Sequence, residues 1–353
     1  MELFGNKRYV ICDLSEDTSL FKGYYEDYEI DVDILSKLSK ILGFSYDLYT
    51  ALFRVDKNSA DLMIKSMMSQ NNIDKIVLLL DEENMRVINY SLDSERVPVL
   101  NKEFINRVKS LSETCEELDL SEIYYQKDDT LSSIILKKKS PVVIEEKYEG
   151  KESKFTEYQI GILLVNDEIN SVYSRLVLYV EGQPLYLPAS YYNATNTRFK
   201  RSTSSSEEAL EVLVLKIIDD LRDDNLKNKM QDFHYRYRVN MQVLASYEEY
   251  NSVLRTMRRI PTIIEDNSFL ESLLAKYENF ERKYSHLEDK KSSYVWRCTA
   301  ISDITVGALV SITASILSDL NAPSMEYFGI RDLLGSYVST NRIAEEIAKE
   351  DVL

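Results

Sequence analysis

The chain has 353 residues, of which 44% are hydrophobic and 29% are charged, and its formal net charge is −16. This composition is typical of a folded protein with one elaborated domain or two. The strong acidic excess argues against coating of nucleic acid or anionic membrane by the whole surface, so any nucleic-acid site has to be a local basic groove.

Cysteine usage and hydropathy predict a cytoplasmic protein. Cys12, Cys115 and Cys298 lie far apart and show neither zinc-ligand spacing nor a disulfide framework, which is typical of a reducing compartment. The N-terminal segment lacks the apolar core and cleavage site of a signal peptide. The longest apolar run, ITVGALVSITASIL, is interrupted by Thr and Ser and is too short to span a bilayer, so we expect no membrane contact.

Short helices and a strand hairpin are predicted in the first hundred residues. Apolar side chains recur at helical spacing in residues 31–50, where Gly43 is the expected end of a helix. The same spacing recurs in residues 58–70, which begin with Asn58 or Ser59 as the expected cap. Residues 74–80 and the segment MRVINYSL then predict two strands around the acidic turn DEEN.

Further strands follow a single helix. NKEFINRVKSLSETCEEL predicts a helix with Asn101 as its cap. Residues 131–150 predict one or two strands, residues 161–180 predict a hairpin, and GQPLYLP predicts a turn-rich edge.

The second half is predicted to be mainly helical. Residues 193–206 are small, polar and basic, as in a loop, and the next helix starts with a capping-box pattern of serine followed by glutamates. Helical periodicity continues to the end, with an interruption at Ile260–Pro261. We therefore expect an α+β fold: a strand-rich domain over 1–192 whose central antiparallel sheet is flanked by helices, the loop at 193–206, and a helical region over 207–353 that packs on the sheet.

Two segments carry a resemblance to a known family. The first hairpin ends in RVINYSLDSERVPVLNKEFINRV, with Ser91, Pro98 and Asn101 ahead of a helix. The second hairpin begins with Gly161 and Ile162 and then carries Asn166 and Glu168. In this order the chain resembles, over residues 30–320, the domain-of-unknown-function 932 family of phage and plasmid proteins.

The chain also departs from that family's pattern. Arg96 or Val97 stands where the family has a tyrosine, Asp167 replaces a serine and Asn170 a glycine. A Cys-x-Asn-Gly-like loop has lost its cysteine near Asn193, Asn196 and Arg198. The resemblance implies a mobile element in a host bacterial cell and implies no particular chemistry.

An amide and two acids interrupt the second hairpin at Asn166, Asp167 and Glu168. Their oxygens suit a hard cation such as Ca²⁺ or Mg²⁺. Consecutive residues of a strand, however, point to opposite faces, and Asn-Asp is a favoured turn pair. The pattern favours a turn or strand end over a metal site, and the same interpretation covers DEEN.

Signatures of catalysis are weak. His234 and His286 are the two histidines, and neither lies in a Cys/His or Ser/His/Asp signature. The sequence contains no Walker loop and no GxGxxG motif. We therefore expect no catalytic residue, no cofactor and a non-enzymatic function, with His234 and His286 in structural or surface roles.

Three segments combine cationic and aromatic residues: TRFKRS, FHYRYR and LRTMRR. Single-strand binders use cations along the phosphates and rings on which bases stack, each stack contributing about 1–3 kcal/mol. In the alternative interpretation HYRYR lies on a helix, where its arginines pair with acids and Tyr237 turns inward. The predicted nucleic-acid-binding residues are Arg198, Lys200, Arg201, Tyr235, Arg236, Tyr237, Arg238, Arg258 and Arg259.

These observations leave three functional hypotheses. The first is a non-enzymatic phage or mobile-element protein that binds single-stranded nucleic acid in recombination or replication. The second is an acidic interaction or self-assembling phage protein, either a structural component or an inhibitor of a host defence factor, whose surface binds a basic host protein; Gly307, Ala308 and Ser311 would suit a homo-oligomer contact. The third is an enzyme with a metal at Asp167 and Glu168.

Overall fold

The computed structural model describes most of the chain. The residues described are 6–14, 19–94, 98–125, 130–146, 152–168, 171–188, 210–212, 215–216, 219, 224–257, 259, 300–320 and 327–340. The loop predicted at 193–206, the interruption at Ile260–Pro261 and most of the helix predicted after residue 206 lie outside these residues.

A first sheet of five strands lies within residues 7–91. Its strands are β1 (Lys7–Asp13), β2 (Tyr24–Tyr25), β3 (Tyr28–Ile30), β4 (Lys75–Asp81) and β5 (Arg86–Ser91), in the order β1-β4-β5-β3-β2. Neighbouring strands are antiparallel except β3 and β5, which run parallel. Three helices cover one face: α1 (Val32–Ile41), α2 (Tyr46–Val55) and α3 (Lys57–Asn71).

Local capping sets the ends of these helices. Asp31 accepts the N–H of Asp33 at 2.7 Å, and Gly43 follows the end of α1 with a positive φ of 87°, as predicted. The predicted cap of α3 was wrong: the cap is Asp56, which accepts from the N–H of Asn58 at 3.0 Å and from the hydroxyl of Ser59 at 2.6 Å.

The hairpin of β4 and β5 and its acidic turn are confirmed. Asp81 accepts the N–H groups of Glu83 at 3.1 Å and Asn84 at 3.2 Å, and the side-chain amide of Asn84 at 2.7 Å. DEEN is therefore a turn in which the first carboxylate, that of Asp81, accepts hydrogen bonds from the backbone of the turn itself.

A second sheet of five strands lies within residues 118–186. Its strands are β6 (Leu118–Tyr125), β7 (Leu131–Lys138), β10 (Ile160–Asp167), β11 (Ser171–Val180) and β12 (Gln183–Tyr186), all antiparallel in the order β12-β11-β10-β7-β6. Strands β8 (Val142–Glu146) and β9 (Lys154–Tyr158) form a separate hairpin, and α4 (Asn101–Thr114) precedes β6. Where the sequence predicted one central sheet, the strands belong to two five-stranded sheets and one separate hairpin.

The C-terminal region is helical, and the α+β class is confirmed. The helices whose full bounds lie in the described residues are α5 (Asp224–Gln242), α6 (Tyr247–Met257), α7 (Val306–Leu320) and α8 (Phe328–Ser339), with a short pair of β13 (Leu244–Ser246) and β14 (Ala300–Thr305). Gly307 lies against the backbone of Met241, so α7 approaches α5 closely within the chain. None of the helices in the described part combines the length and hydropathy of a membrane span.

Both faces of the second sheet are buried, which explains the apolar run in β10. Ile162 and Leu164 face the core shared with α4 and the C-terminal helices. Leu163 and Val165 face a smaller cluster with Tyr186 and Phe328. A strand covered on both faces needs no polar alternation.

The second sheet curls until its two edge strands approach each other. Arg331 of α8 donates to the Glu122 carboxylate of β6 at 2.8 and 3.4 Å. The same guanidinium donates to Gln183 at 2.9 Å and to the Tyr186 hydroxyl at 3.3 Å, both on β12. Because β6 and β12 are opposite edges, one buried arginine joins the two ends of the sheet.

Gly161 permits the close approach of β10 to β7. A Cβ atom at this position would lie 2.5 Å from the carbonyl oxygen of Leu136, well inside van der Waals contact. The first residue of GILLVNDEIN is thus a packing requirement of the curled sheet.

We expect Gly161→Ala to lower the free energy of unfolding by about 1–3 kcal/mol, because the backbone of β7 has to move. Gly329→Ala in α8 is the matched control, since its Cβ would meet only the Thr256 methyl at 3.8 Å. Urea unfolding of both variants measures the difference. Equal effects of the two substitutions would contradict this role of Gly161.

Candidate functional site

The predicted cationic segment of residues 235–238 lies on α5. The Arg236 guanidinium pairs with Asp232, one turn earlier, at 2.7 Å, and Arg238 pairs with Glu146 of β8. Tyr237 is half-buried and packs edge-to-face on Tyr158, with 5.8 Å between ring centroids. The Tyr235 side chain remains open to solvent, with 61% of its surface exposed.

Of the other predicted nucleic-acid-binding residues, the described part of the chain includes Arg259. Arg259 lies in an exposed turn just after α6. Arg198, Lys200, Arg201 and Arg258 lie outside the described residues. The convergence of the three basic segments stays a prediction.

His234 connects α5 to the β8–β9 hairpin. The Tyr158 hydroxyl lies 2.5 Å from Nδ1 of His234, and Nε2 contacts the Glu146 carboxylate. Burial is the main cause that raises the pKa of Tyr158 and keeps its phenol protonated. The Glu146 carboxylate can only accept, so Nε2 carries a proton. Nε2–H then donates to Glu146, which also accepts from Arg238.

A hydroxyl, an imidazole and a carboxylate in this order resemble a nucleophile with its base. Tyr158 is buried, however, with 6% of its surface exposed, which restricts the approach of a substrate to its hydroxyl. In this environment the three groups act chemically as a satisfied hydrogen-bond chain. They hold the hairpin against α5.

The acidic interruption of the second hairpin leads to a buried ion pair. β10 ends at Asp167, and Glu168 follows with only 1% of its surface exposed. Its carboxylate accepts from the Lys7 ammonium of β1 at 3.1 Å and from the N–H of Asn101 at 2.8 Å. The sequence favoured a strand end at this point, and Glu168, which directly follows the strand, supplies a buried carboxylate.

Glu168 also replaces the predicted cap of α4. Asn101 is the first residue of the helix, and Leu100, which precedes it, makes no side-chain cap bond. The prediction of Asn101 as the cap was wrong. A carboxylate at this position satisfies a free N–H group and lies at the positive end of the helix dipole.

Amides and a hydroxyl complete the Glu168 cluster, which we define as Lys7, Asn101, Ser132, Asn166 and Glu168. Asn166 donates to the carbonyl of Val99 and to the side-chain oxygen of Asn101, both at 2.8 Å. Ser132 of β7 donates to the same Asn101 oxygen at 2.6 Å. The cluster therefore joins β1 of the first sheet to β7 and β10 of the second.

Burial dominates the electrostatics of this cluster. It raises the pKa of Glu168 above the usual 4.5, although Lys7 and the N–H of Asn101 act in the opposite direction. Asp167 points to the other face of β10 by strand alternation. Within the described ranges, no group of three or more His, Cys, Asp or Glu side chains could hold a metal ion.

No protein-family model, curated protein or solved structure matches this chain. The resemblance to the domain-of-unknown-function 932 family therefore stays a prediction from the motifs quoted above.

We expect Lys7→Met and Glu168→Gln each to lower the free energy of unfolding by about 3–5 kcal/mol, because each substitution leaves a buried polar or charged group without its partner. The double variant should lose less than the sum, with a coupling of about 0.5–3 kcal/mol. Urea unfolding of the wild type, the two single variants and the double variant measures this coupling. Lys139→Met serves as the control because its pair with Asp119, at 3.5 Å, is exposed. Additive losses would show that the ion pair is not coupled.

The raised pKa of Glu168 predicts the direction in which the free energy of unfolding changes with pH. The folded protein binds the proton of the Glu168 carboxyl group more tightly than the unfolded chain does. The carboxyl group therefore contributes less to the stability of the fold as the pH rises from 4.5 through its raised pKa. We expect the free energy of unfolding of the wild type, relative to Glu168→Gln, to decrease across this interval. Urea unfolding in steps from pH 4.5 upward measures the trend. A difference that increases with pH would refute it.

Proposed function

We propose that this protein is a non-enzymatic interaction protein whose acidic surface binds a basic protein partner. The observation that carries the proposal is the neutralisation of the cationic segment on α5. Arg236 and Arg238 each contact a carboxylate, so this segment adds little positive potential. Over the whole chain 59 acidic residues face 43 basic ones, which favours the approach of a cationic partner.

The first sheet offers a surface that suits such a partner. The turn between β2 and β3 and the start of α1 combine exposed carboxylates with an exposed Tyr24 and with Val32, 62% of which is exposed. Protein interfaces commonly place aromatic and apolar groups inside a polar rim. We call this the acidic surface, and its carboxylates are Glu26, Asp27, Glu29, Asp31 and Asp33.

The proposal extends to the biological setting that the motif resemblance implies. In a phage or other mobile element, the basic partner would be a nucleic-acid-binding host protein, and the chain would act as its inhibitor. A structural role in phage assembly is the other form of the same hypothesis.

A charge-matched comparison tests the proposal. The first variant carries Asp27→Asn, Glu29→Gln and Asp33→Asn, which leaves the Asp31 cap of α1 intact. The control variant carries Glu113→Gln, Glu116→Gln and Asp119→Asn, and therefore has the same net charge. The probe is a lysine-rich protein of known sequence, and binding is measured by calorimetry at several salt concentrations.

We expect the first variant to bind the probe about 10-fold more weakly than the control and to show a smaller salt dependence, since rim charges set long-range attraction. Equal affinities for the two variants would show that only diffuse charge acts. Failure of the wild type to bind the probe at any salt concentration would overturn the proposal.

Single-stranded nucleic acid is the second candidate ligand. Tyr235 is exposed on α5 and offers a ring for base stacking, and the predicted cations Arg198 and Arg201 would supply the phosphate contacts. Retardation of an oligonucleotide at low salt, lost in the double variant Arg198→Glu and Arg201→Glu, would favour this function over the first.

A further inference from the structure

Strand β1 is an edge of the first sheet, and its central residues turn hydrogen-bonding groups away from the sheet. The bonds from Leu14 N–H to Asp74 at 2.8 Å and from Glu82 N–H to Asn6 at 2.9 Å show which residues bond to β4. By alternation of an antiparallel ladder, Val10 bonds inward, whereas the N–H and C=O groups of Tyr9 and Ile11 point outward. In the described part of the chain, no strand pairs with this outer edge.

The sequence of β1, KRYVICD, is self-complementary when a second copy runs antiparallel about Val10. Tyr9 then lies opposite Ile11 of the second copy, and their outward groups exchange N–H···O=C bonds on both sides of the two-fold axis. This is the antiparallel register that pairs all seven residues of the strand.

Charge favours the same arrangement. By register Lys7 lies opposite Asp13 at the ends of the paired strands, so no like charges face each other, and within each chain these two side chains already pair with Glu168 and Lys75. A parallel in-register pairing would instead align Lys7, Arg8 and Asp13 with their own copies, and like charges opposite each other destabilise a sheet.

The side chains are also suited to this contact. Val10 and Cys12 face the core beneath α1–α3, so their positions are set by the fold. Tyr9, with 37% of its surface exposed, lies with Ile11 on the other face, where pairing would set an aromatic ring beside a β-branched side chain. Such cross-strand pairs stabilise an antiparallel sheet.

We propose that two copies of this chain associate by antiparallel pairing of their β1 strands about Val10, which joins the two five-stranded sheets into one continuous sheet. The pairing rests on backbone geometry and is independent of the acidic surface. Because each copy carries a net charge of −16, long-range repulsion opposes the approach. Salt therefore strengthens this association, whereas it weakens binding to a basic partner.

Light scattering on a size-exclusion column tests the association at about 0.1 mM protein, where a dissociation constant of about 10 μM leaves mainly dimer. We expect twice the chain mass at about 0.15 M salt, and a larger monomer fraction at about 0.01 M, where screening is weaker. A monomer at both salt concentrations would overturn the proposal.

Ile11→Pro removes an outward N–H and leaves the β1–β4 bonds in place, because proline is tolerated where an edge strand faces solvent. We expect this variant to be monomeric, with a circular dichroism spectrum like that of the wild type. A dimer with the wild-type dissociation constant would refute pairing along β1.

Cross-linking tests the register without disturbing the ladder. Val10 faces Val10 of the second copy in a non-hydrogen-bonded pair, where Cα atoms lie about 4.5 Å apart, within disulfide range. Val10→Cys should form a disulfide-linked dimer under mild oxidation, and Ser121→Cys on the edge strand β6 is the matched control. Equal cross-linking of the two variants, or none with Val10→Cys, would refute the register.

Discussion

The buried ion pair of Lys7 and Glu168 is the interaction on which the arrangement of the two sheets depends. Lys7 belongs to the edge strand of the first sheet, and Glu168 follows the central strand of the second, 3.1 Å away. Removal of both charges from water is costly, so the pair is tolerated only because the helix N-terminus also stabilises the carboxylate. The α4 helix is thereby held at the junction of the sheets.

Arginines play a comparable part within each sheet. In the first, Arg8 of β1 reaches the Tyr28 hydroxyl of β3 at 3.3 Å and Glu82 at 2.7 Å. In the second, Arg331 joins the opposite edges. Planar guanidinium groups suit such contacts because they donate in several directions at once. These two arginines are used in contacts within the fold, and the chain as a whole carries an acidic excess, which is consistent with the proposed interaction function.

In the cationic segment on α5, local sequence spacing predicts one of the two arginine–carboxylate pairs. The pattern FHYRYR suggested arginines and rings in one place, and the helical alternative placed Tyr237 inward and the arginines against acids. The partner of Arg236 is local, four residues away, and could be anticipated from helical spacing. The partner of Arg238 is Glu146, 92 residues away, and no local pattern indicates it.

The sequence by itself determined the features that depend on near neighbours: the periodicity of the first helices, the β4–β5 hairpin with its DEEN turn, the strand end at Asn166–Asp167 and the α+β class. Only the tertiary structure decided the division of the strands into two five-stranded sheets and separate pairs, the inclusion of β1, the use of Glu168 at the start of α4 and the bridging by Arg331. The reason is physical. Periodicity and turn preferences act over a few residues, whereas a buried charge takes whichever distant partner the packing brings within reach.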